Sequence, residues 1–142
     1  MNGNELASRL SFFLWSSAPD EELLQSAKEG KLLSDSELKL QMRRMLKDPR
    51  VRRLATEFAC QWLHIYEFDL HDEKSEKYFP EFASLRSEMY EEVILFFTDL
   101  FQEDGSILGI LDADHTFANS RLAEFYAIAG AKPQDAWQRV NQ

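Results

Sequence analysis

Cysteine is almost missing from this chain. Cys60 is the only one in 142 residues, so no disulfide can form within it. That alone does not indicate a compartment, because a helical core of this size needs no covalent staple. Glycine and proline are scarce, at five and four, which fits helices joined by short connections. Cationic residues are in deficit, 16 against 25 acids, for a net charge of −9. Such a balance argues against general affinity for nucleic acid or anionic membranes, since neutralising phosphates takes an excess of Lys and Arg. No basic-then-apolar signal segment opens the chain. Met1 is followed by Asn-Gly-Asn, which reads as an artificial boundary within a longer protein. There is no internal repeat and no low-complexity tract.

Familiar chemical constellations are missing too. No Glu-x-x-His pair of the di-iron kind occurs. There is no Gly-x-Ser-x-Gly elbow, no phosphate-cradling glycine loop and no Cys-x-x-Cys-His haem attachment. The nearest approach to a metal-ligand set is Asp112, Asp114 and His115, in a predicted turn. Aspartates are common in turns because they bond their own backbone, so no metal site is expected there. Cys60 reads as a small buried thiol. Paired carboxylates such as Glu88 with Glu91 or Glu92 read as the wet strip of a helix, not as an acid–base pair.

What is present is apolar and aromatic bulk, 44% and 13% of residues, enough to exclude a disordered chain. At this length one domain burying roughly two thirds of its surface is expected. The dominant stretch is Phe82 to Glu103, which holds no Gly or Pro. Apolar residues recur at Phe82, Leu85, Met89, Val93, Phe96 and Leu100, with Tyr90, Ile94, Phe97 and Phe101 beside them. This spacing predicts a helix with a broad apolar face, about 33 Å long and packed on at least two sides. Its carboxylates rule out a membrane span.

Around it the pattern predicts shorter helices. Asn4 caps a first helix over Glu5–Ser16, with Leu6, Leu10, Phe13 and Leu14 inward and Arg9 at the edge of the apolar face. Ser17 starts a second helix, Pro19–Glu29, stopped by Gly30. Ser34 starts a third, Asp35–Lys47. Asp48-Pro49 caps and opens a fourth, to about His64. Tyr66 to Pro80 breaks the helical period, HDEKSEK is exposed, and Tyr78-Phe79-Pro80 re-enters the core. Asp112–Thr116 is a turn, and Phe117–Ile128 is the last core helix, with Leu122, Phe125 and Tyr126 inward. Gly130 and Pro133 end it. Residues 131–142 form a tail with one large apolar anchor, Trp137.

Residues 39–53 concentrate seven cations, Lys39, Arg43, Arg44, Lys47, Arg50, Arg52 and Arg53, against Asp48 alone. Three readings stand: a solvated face pairing with the domain's own acids, a docking patch for an acidic partner domain, or a nucleic-acid surface. The last is disfavoured because no glycines or aromatics interleave the patch to provide stacking. Lys39, Arg43, Arg44, Lys47, Arg50 and Arg53 are the interaction-patch candidates.

Three segments carry a resemblance: RLSFFLWSSAPDEELLQSAKEGKL (Arg9–Leu32), FACQWL (Phe58–Leu63) and DHTFANSRLAEFYAI (Asp114–Ile128). YFPEFASLRSEMYEEVILFF and DGSILGILDAD between them match as well. In this order, over roughly Glu5 to Gly130, the chain resembles a domain of unknown function found in large multidomain proteins, mostly of planctomycetes, that often carry cytochrome-c-like domains. The resemblance transfers no catalytic residue. It implies an exported or cell-envelope setting, a place between other modules, and haem only in a neighbouring domain. Where the family pattern commonly reads Tyr-Gly-Ile, this chain has Tyr126-Ala127-Ile128. DAWQRV in the tail looks like the opening of the next module.

Within the motifs, Arg9 and Arg121 sit close to apolar residues and need carboxylate or carbonyl partners. Asp20 and Asp114 are the candidate acids, with Asn119 leading into the last helix. The reading is therefore an all-α domain, residues 1–130, folded as an irregular or orthogonal bundle of six or seven helices around 82–103. Its expected role is a non-catalytic structural or interaction module. Sibling domains of the same polypeptide are its expected partners, with no nucleic acid, no membrane span and no cofactor of its own. The rival is an active or ligand-binding site completed by a neighbouring domain, marked by Arg9, Arg121, His115 and an acid converging on one cleft. A deep cavity lined by Phe, Tyr and Trp would instead indicate a ligand pocket.

Overall fold

Seven helices and one two-stranded sheet make up a mostly helical bundle in a computed structural model that describes residues 2–68, 70, 77–128 and 136–141. In chain order these are α1 (Gly3–Trp15), α2 (Glu21–Lys28), α3 (Asp35–Lys47), α4 (Arg52–Leu63), α5 (Phe82–Gln102), α6 (Gly109–Asp112), β1 (His115–Ala118), α7 (Ser120–Phe125) and β2 (Gln138–Asn141). Two 3₁₀ turns, Lys31–Leu33 and Pro49–Val51, lead into α3 and α4.

The cap of α1 is Asn2, not Asn4. Its side chain accepts from the Glu5 amide at 2.9 Å, and the Glu5 carboxylate accepts from the Asn2 amide at 3.0 Å. The buried face of α1 comprises Gly3, Ala7, Ser11, Leu14 and Trp15. Small residues at 3, 7 and 11 lie along one stripe of that face. They let α1 approach α2 so closely that a Cβ on Gly3 would stand 2.7 Å from the Ala27 carbonyl oxygen. This close approach turns Phe12 and Phe13 outward, 60% and 66% exposed, where periodicity had placed Phe13 inside.

Ser16 ends α1 in the left-handed region, at φ 49°. Asp20, not Ser17, caps α2 by accepting from the Leu23 amide at 3.0 Å, so the helix begins at Glu21 and not Pro19. The Ser17 hydroxyl is buried without a hydrogen-bond partner among the described residues. α3 follows its predicted bounds, capped by Ser34, and Asp48 caps the turn opened by Pro49.

α5 spans Phe82–Gln102, one residue short of the sequence expectation. Ile94 and Phe97 join Ala55, Ala59 and Cys60 of α4 in one apolar cluster. Leu85, nearer the N-terminus of α5, joins Ala118, Leu122, Ala123 and Val140 in another. A third cluster, holding Ala7, Leu14, Trp15, Leu23, Leu32 and Met45, fills the space between α1, α2 and α3. Each fully buried side chain of the size of Ile94 contributes about 1.5–3 kcal/mol relative to exposure. Packing on two sides of α5 is thus observed.

The C-terminal third differs from expectation. Residues 115–118 are a strand, paired antiparallel with β2 in the register His115–Asn141, Thr116–Val140, Phe117–Arg139 and Ala118–Gln138. The last helix starts only at Ser120, because the Asn119 side chain caps it by accepting from the Leu122 amide at 3.0 Å. It ends at Phe125, and Phe125 and Tyr126 are half-exposed, not inward. The chain leaves it through Ala127 at φ 54°, a conformation that favours glycine, with the Ile128 amide bonding back to the Ala123 carbonyl. Tyr78 and Phe79 lie exposed and do not re-enter the core. The expected stops at Gly130 and Pro133, with His71 and most of HDEKSEK, lie outside the described residues.

Candidate functional site

Two polar networks absorb most of the charged residues singled out above. The first surrounds Trp15, which is fully buried. Its indole Nε1–H donates to the Met45 carbonyl at 2.9 Å, and its own carbonyl accepts from Arg53 at 2.9 Å. The Arg50 guanidinium lies 3.4 Å above its ring, a cation–π contact. Asp20 accepts both Arg44 Nη atoms, at 2.7 and 3.0 Å, with Arg50 3.5 Å away. Arg50 also pairs with Asp48 at 2.7 Å. Hydrogen bonding from Arg44 holds the Asp20 carboxyl below its ordinary range. Arg50 likewise holds Asp48 down to about 2.

The basic stretch is therefore mostly spent inside the domain. Arg44, Lys47, Arg50 and Arg52 meet Asp20, Glu103, Asp48 and Glu91, and Arg53 meets a carbonyl. Lys39, Arg43 and Arg53 are exposed without an ion pair among the described residues, and of these Arg53 is held by the Trp15 carbonyl.

The second network joins α5 to the C-terminal segment. Glu88 pairs with Arg121, which also donates to the Ser84 carbonyl at 2.7 Å. Glu92 accepts from Thr116 of β1 at 2.5 Å and from the Tyr126 hydroxyl at 2.8 Å. Burial, then the Glu92 carboxylate, pushes the Tyr126 phenol well above its ordinary value. Asp99 sits 3.2 Å from Arg139 of β2 and 3.7 Å from His115 of β1. Glu88, Glu92 and Asp99 follow one another at helical spacing, so they form one ridge. The sequence reading treated these acids as a wet strip. The ridge faces β1, α7 and β2 instead, and a partner 16 to 40 residues away gives no local signal.

The predicted site residues do not converge. Arg9 is exposed on α1. Arg121 finds an acid as expected, but Glu88 and not Asp20 or Asp114. Asp20 serves α2 and the arginines, Asn119 caps α7, and Asp114 lies beside His115 at 3.3 Å. Cys60 is buried with its sulfur 3.2 Å from the Tyr90 hydroxyl. Among the described residues no group of three or more His, Cys, Asp or Glu is placed to hold a metal ion, and no helix is long and apolar enough to cross a membrane.

Two depressions that share Phe96 lie along the C-terminal half of α5, beside α6 and β1. One, of about 370 Å³, is lined by Asp99, Glu103, His115, Arg139, Phe96 and Leu108 among others. The other, of about 310 Å³, is mainly apolar, with Leu63, Val93, Phe96, Phe97 and Ile110, and with Glu92 and Thr116 at its wall. Phe96 is common to both. His115 packs its ring against Phe96, with centroids 5.6 Å apart. Neither depression is a deep aromatic cavity of the kind a ligand pocket would show; both open broadly to the surface.

A family model described as PSD4, protein of unknown function (DUF1592), matches residues 1–128. No curated protein and no solved structure matches the chain.

Proposed function

The chain belongs to the PSD4 family of proteins of unknown function (DUF1592), and on that premise we propose that it is a non-catalytic structural and interaction module of a larger polypeptide. The observation that carries this reading is the set of large apolar side chains left exposed at the C-terminal end of α4 and around α6, two segments that line a common depression through Leu63 and Ile110. Trp62, Leu63, Ile107, Leu108 and Leu111 all lie outward there, between 42% and 82% exposed. Singly exposed apolar residues are ordinary, but contiguous ones mark surfaces that meet a partner. The polar motif residues support it from the other side. Asp20, Asn119 and Arg121 are occupied in capping helices and tying them together.

The proposed setting is an exported or cell-envelope protein that also carries cytochrome-c-like domains, with residues 1–130 as this module and 131–142 leading toward the next. Haem would then belong to a neighbour and not to this domain. The test is direct binding of the separately produced neighbouring domains of the parent polypeptide to this chain, followed by calorimetry. Binding that survives Lys39→Glu with Arg43→Glu but is lost with Leu108→Asp assigns the contact to this apolar set. No binding by any neighbour refutes the reading.

The rival, a site shared with a neighbouring domain, has one observation in its favour. His115, Asp99 and Arg139 meet beside an open cleft. A reaction that appears only when a neighbour is added, and disappears with His115→Asn, would favour it.

A further inference from the structure

The two depressions along the C-terminal half of α5 adjoin at Phe96, and the groove they outline has an uneven chemistry. The floor is apolar, made by Leu63, Val93, Phe96, Phe97 and Ile110. Leu111, 82% exposed, stands beside it on α6. The rim is acidic. Glu92, Asp99, Glu103 and Asp112 line the groove and Asp114 adjoins it, against two cations, Lys47 and Arg139. Among the carboxylates, Lys and Arg, five acids against two cations leave a surplus of three negative charges. Lys47 and Arg139 are taken up by Glu103 and Asp99. Asp112 has no cationic partner among the described residues, and Asp114, its side chain 89% exposed, has only His115.

We propose, resting on the interaction reading above, that this groove docks a cationic amphipathic segment of another polypeptide. The apolar face of that segment would cover Leu63, Phe96 and Ile110, and its Lys or Arg residues would reach Asp112 and Asp114. Charge complementarity selects the occupant, because opposed potentials across an interface steer encounter and reject wrong partners. A second copy of this chain is the wrong partner on that ground: it carries −9 overall and would set the same acidic rim against itself. An apolar helix without charges would leave the rim unpaired, and an acidic one would be repelled. Laying an amphipathic segment into a groove of this kind is a recurring recognition mode, read out as anchors at helical spacing.

The probe is a labelled helical peptide of about 18 residues with Leu on one face and Lys on the other. Its binding to the full chain is followed by fluorescence anisotropy. The expected result is saturable binding, weakened about tenfold or more by Leu111→Glu and by Asp112→Lys with Asp114→Lys. These positions are exposed, so the fold is expected to survive, and circular dichroism checks it. A peptide of identical composition but scrambled order is expected to bind about tenfold more weakly. Lys39→Glu with Arg43→Glu, at exposed α3 positions that do not line the groove, is not expected to weaken binding. Equal binding of the scrambled peptide reduces the effect to non-specific charge and overturns the inference. So does binding that ignores the rim substitutions, absence of binding, or a chain that sediments as a dimer dissociated by Leu111→Glu. If neighbouring domains bind this chain while the peptide does not, the groove assignment falls and the module reading stands.

Discussion

Asp20 is the residue on which removal of one group should be felt most widely, because it does two jobs. It caps α2 through the Leu23 amide, and it receives two Arg44 nitrogens with Arg50 close by. Replacing it with alanine removes the cap, about 1 kcal/mol. It also removes two partly exposed ion pairs, each worth roughly 0.2–1 kcal/mol after solvent screening. The arginines are not left stranded, since Arg44 retains Glu22 at 3.1 Å and Arg50 retains Asp48. The expected loss is therefore about 2 kcal/mol, not the larger figure for an uncompensated charge. Asparagine keeps an oxygen for the cap and loses only the charge, so Asp20→Asn should cost about 1 kcal/mol or less.

Urea denaturation at neutral pH separates the two variants, with unchanged slope as the sign that the unfolded state is unaltered. The pH dependence fixes the cause. Arg44 lowers the native carboxyl below its ordinary value of 3.8, so its contribution is complete above that value and lost as pH falls through the native one. The gap between wild type and Asp20→Asn should close over this acid window, in which Asp48, held near 2, also titrates. The reasoning is refuted if the alanine variant loses less than about 0.5 kcal/mol, if both variants lose equally, or if the gap persists at the lowest pH at which the chain folds.

Ala127→Gly should stabilise the chain by about 0.5–1 kcal/mol, measured by the same titration, because it relieves an L-residue at φ 54° at some cost in unfolded-chain entropy. Gly3→Ala should destabilise by about 1–3 kcal/mol, since the added methyl meets the Ala27 backbone 2.7 Å away and α1 must move off α2. Thermal denaturation checks it, and a neutral result would mean the helices sit further apart. Ultraviolet titration of the four tyrosines should show one that stays protonated beyond the ordinary phenol range near 10 until the chain unfolds. Folding free energy is then held at lower pH and lost as pH rises past 10, a loss that Tyr126→Phe should remove.

The helices legible in the sequence are those whose signals are local. Phe82–Gln102 declares itself by twenty-one residues of apolar repeat with no breaker, and Asp35–Lys47 by a serine cap before it and Asp48-Pro49 after it. The facing of α1 was misjudged because large aromatics outweigh Gly3, Ala7 and Ser11 in any hydrophobic tally, while helix approach depends on the small residues. β1 and β2 were missed for another reason: each is four residues long and the pairing joins residues 115–118 to 138–141. Nothing within a short window distinguishes such a strand from the start of a helix. The acids of α5 show the same limit. Their spacing placed Glu88, Glu92 and Asp99 on one ridge, but only the path of the chain from 115 onward decided that Arg121, Tyr126 and Arg139 would lie across from it. Of the basic stretch, Arg44, Lys47, Arg50 and Arg52 meet acids of this chain, which is one of the three readings the sequence left open.

Trp15 has implications for the order in which the molecule assembles. Its ring is covered by Arg50 and its carbonyl is held by Arg53, so α1 lacks two of its fastenings until the first turn of α4 exists. A nascent chain that has emerged only as far as Lys47 holds three helices and most of one apolar cluster, yet its largest side chain still has an open lid. Those helices should gain full protection of their amides only once another ten or so residues have followed, which would make the Asp48-Pro49 corner the step that commits the N-terminal half to its final form.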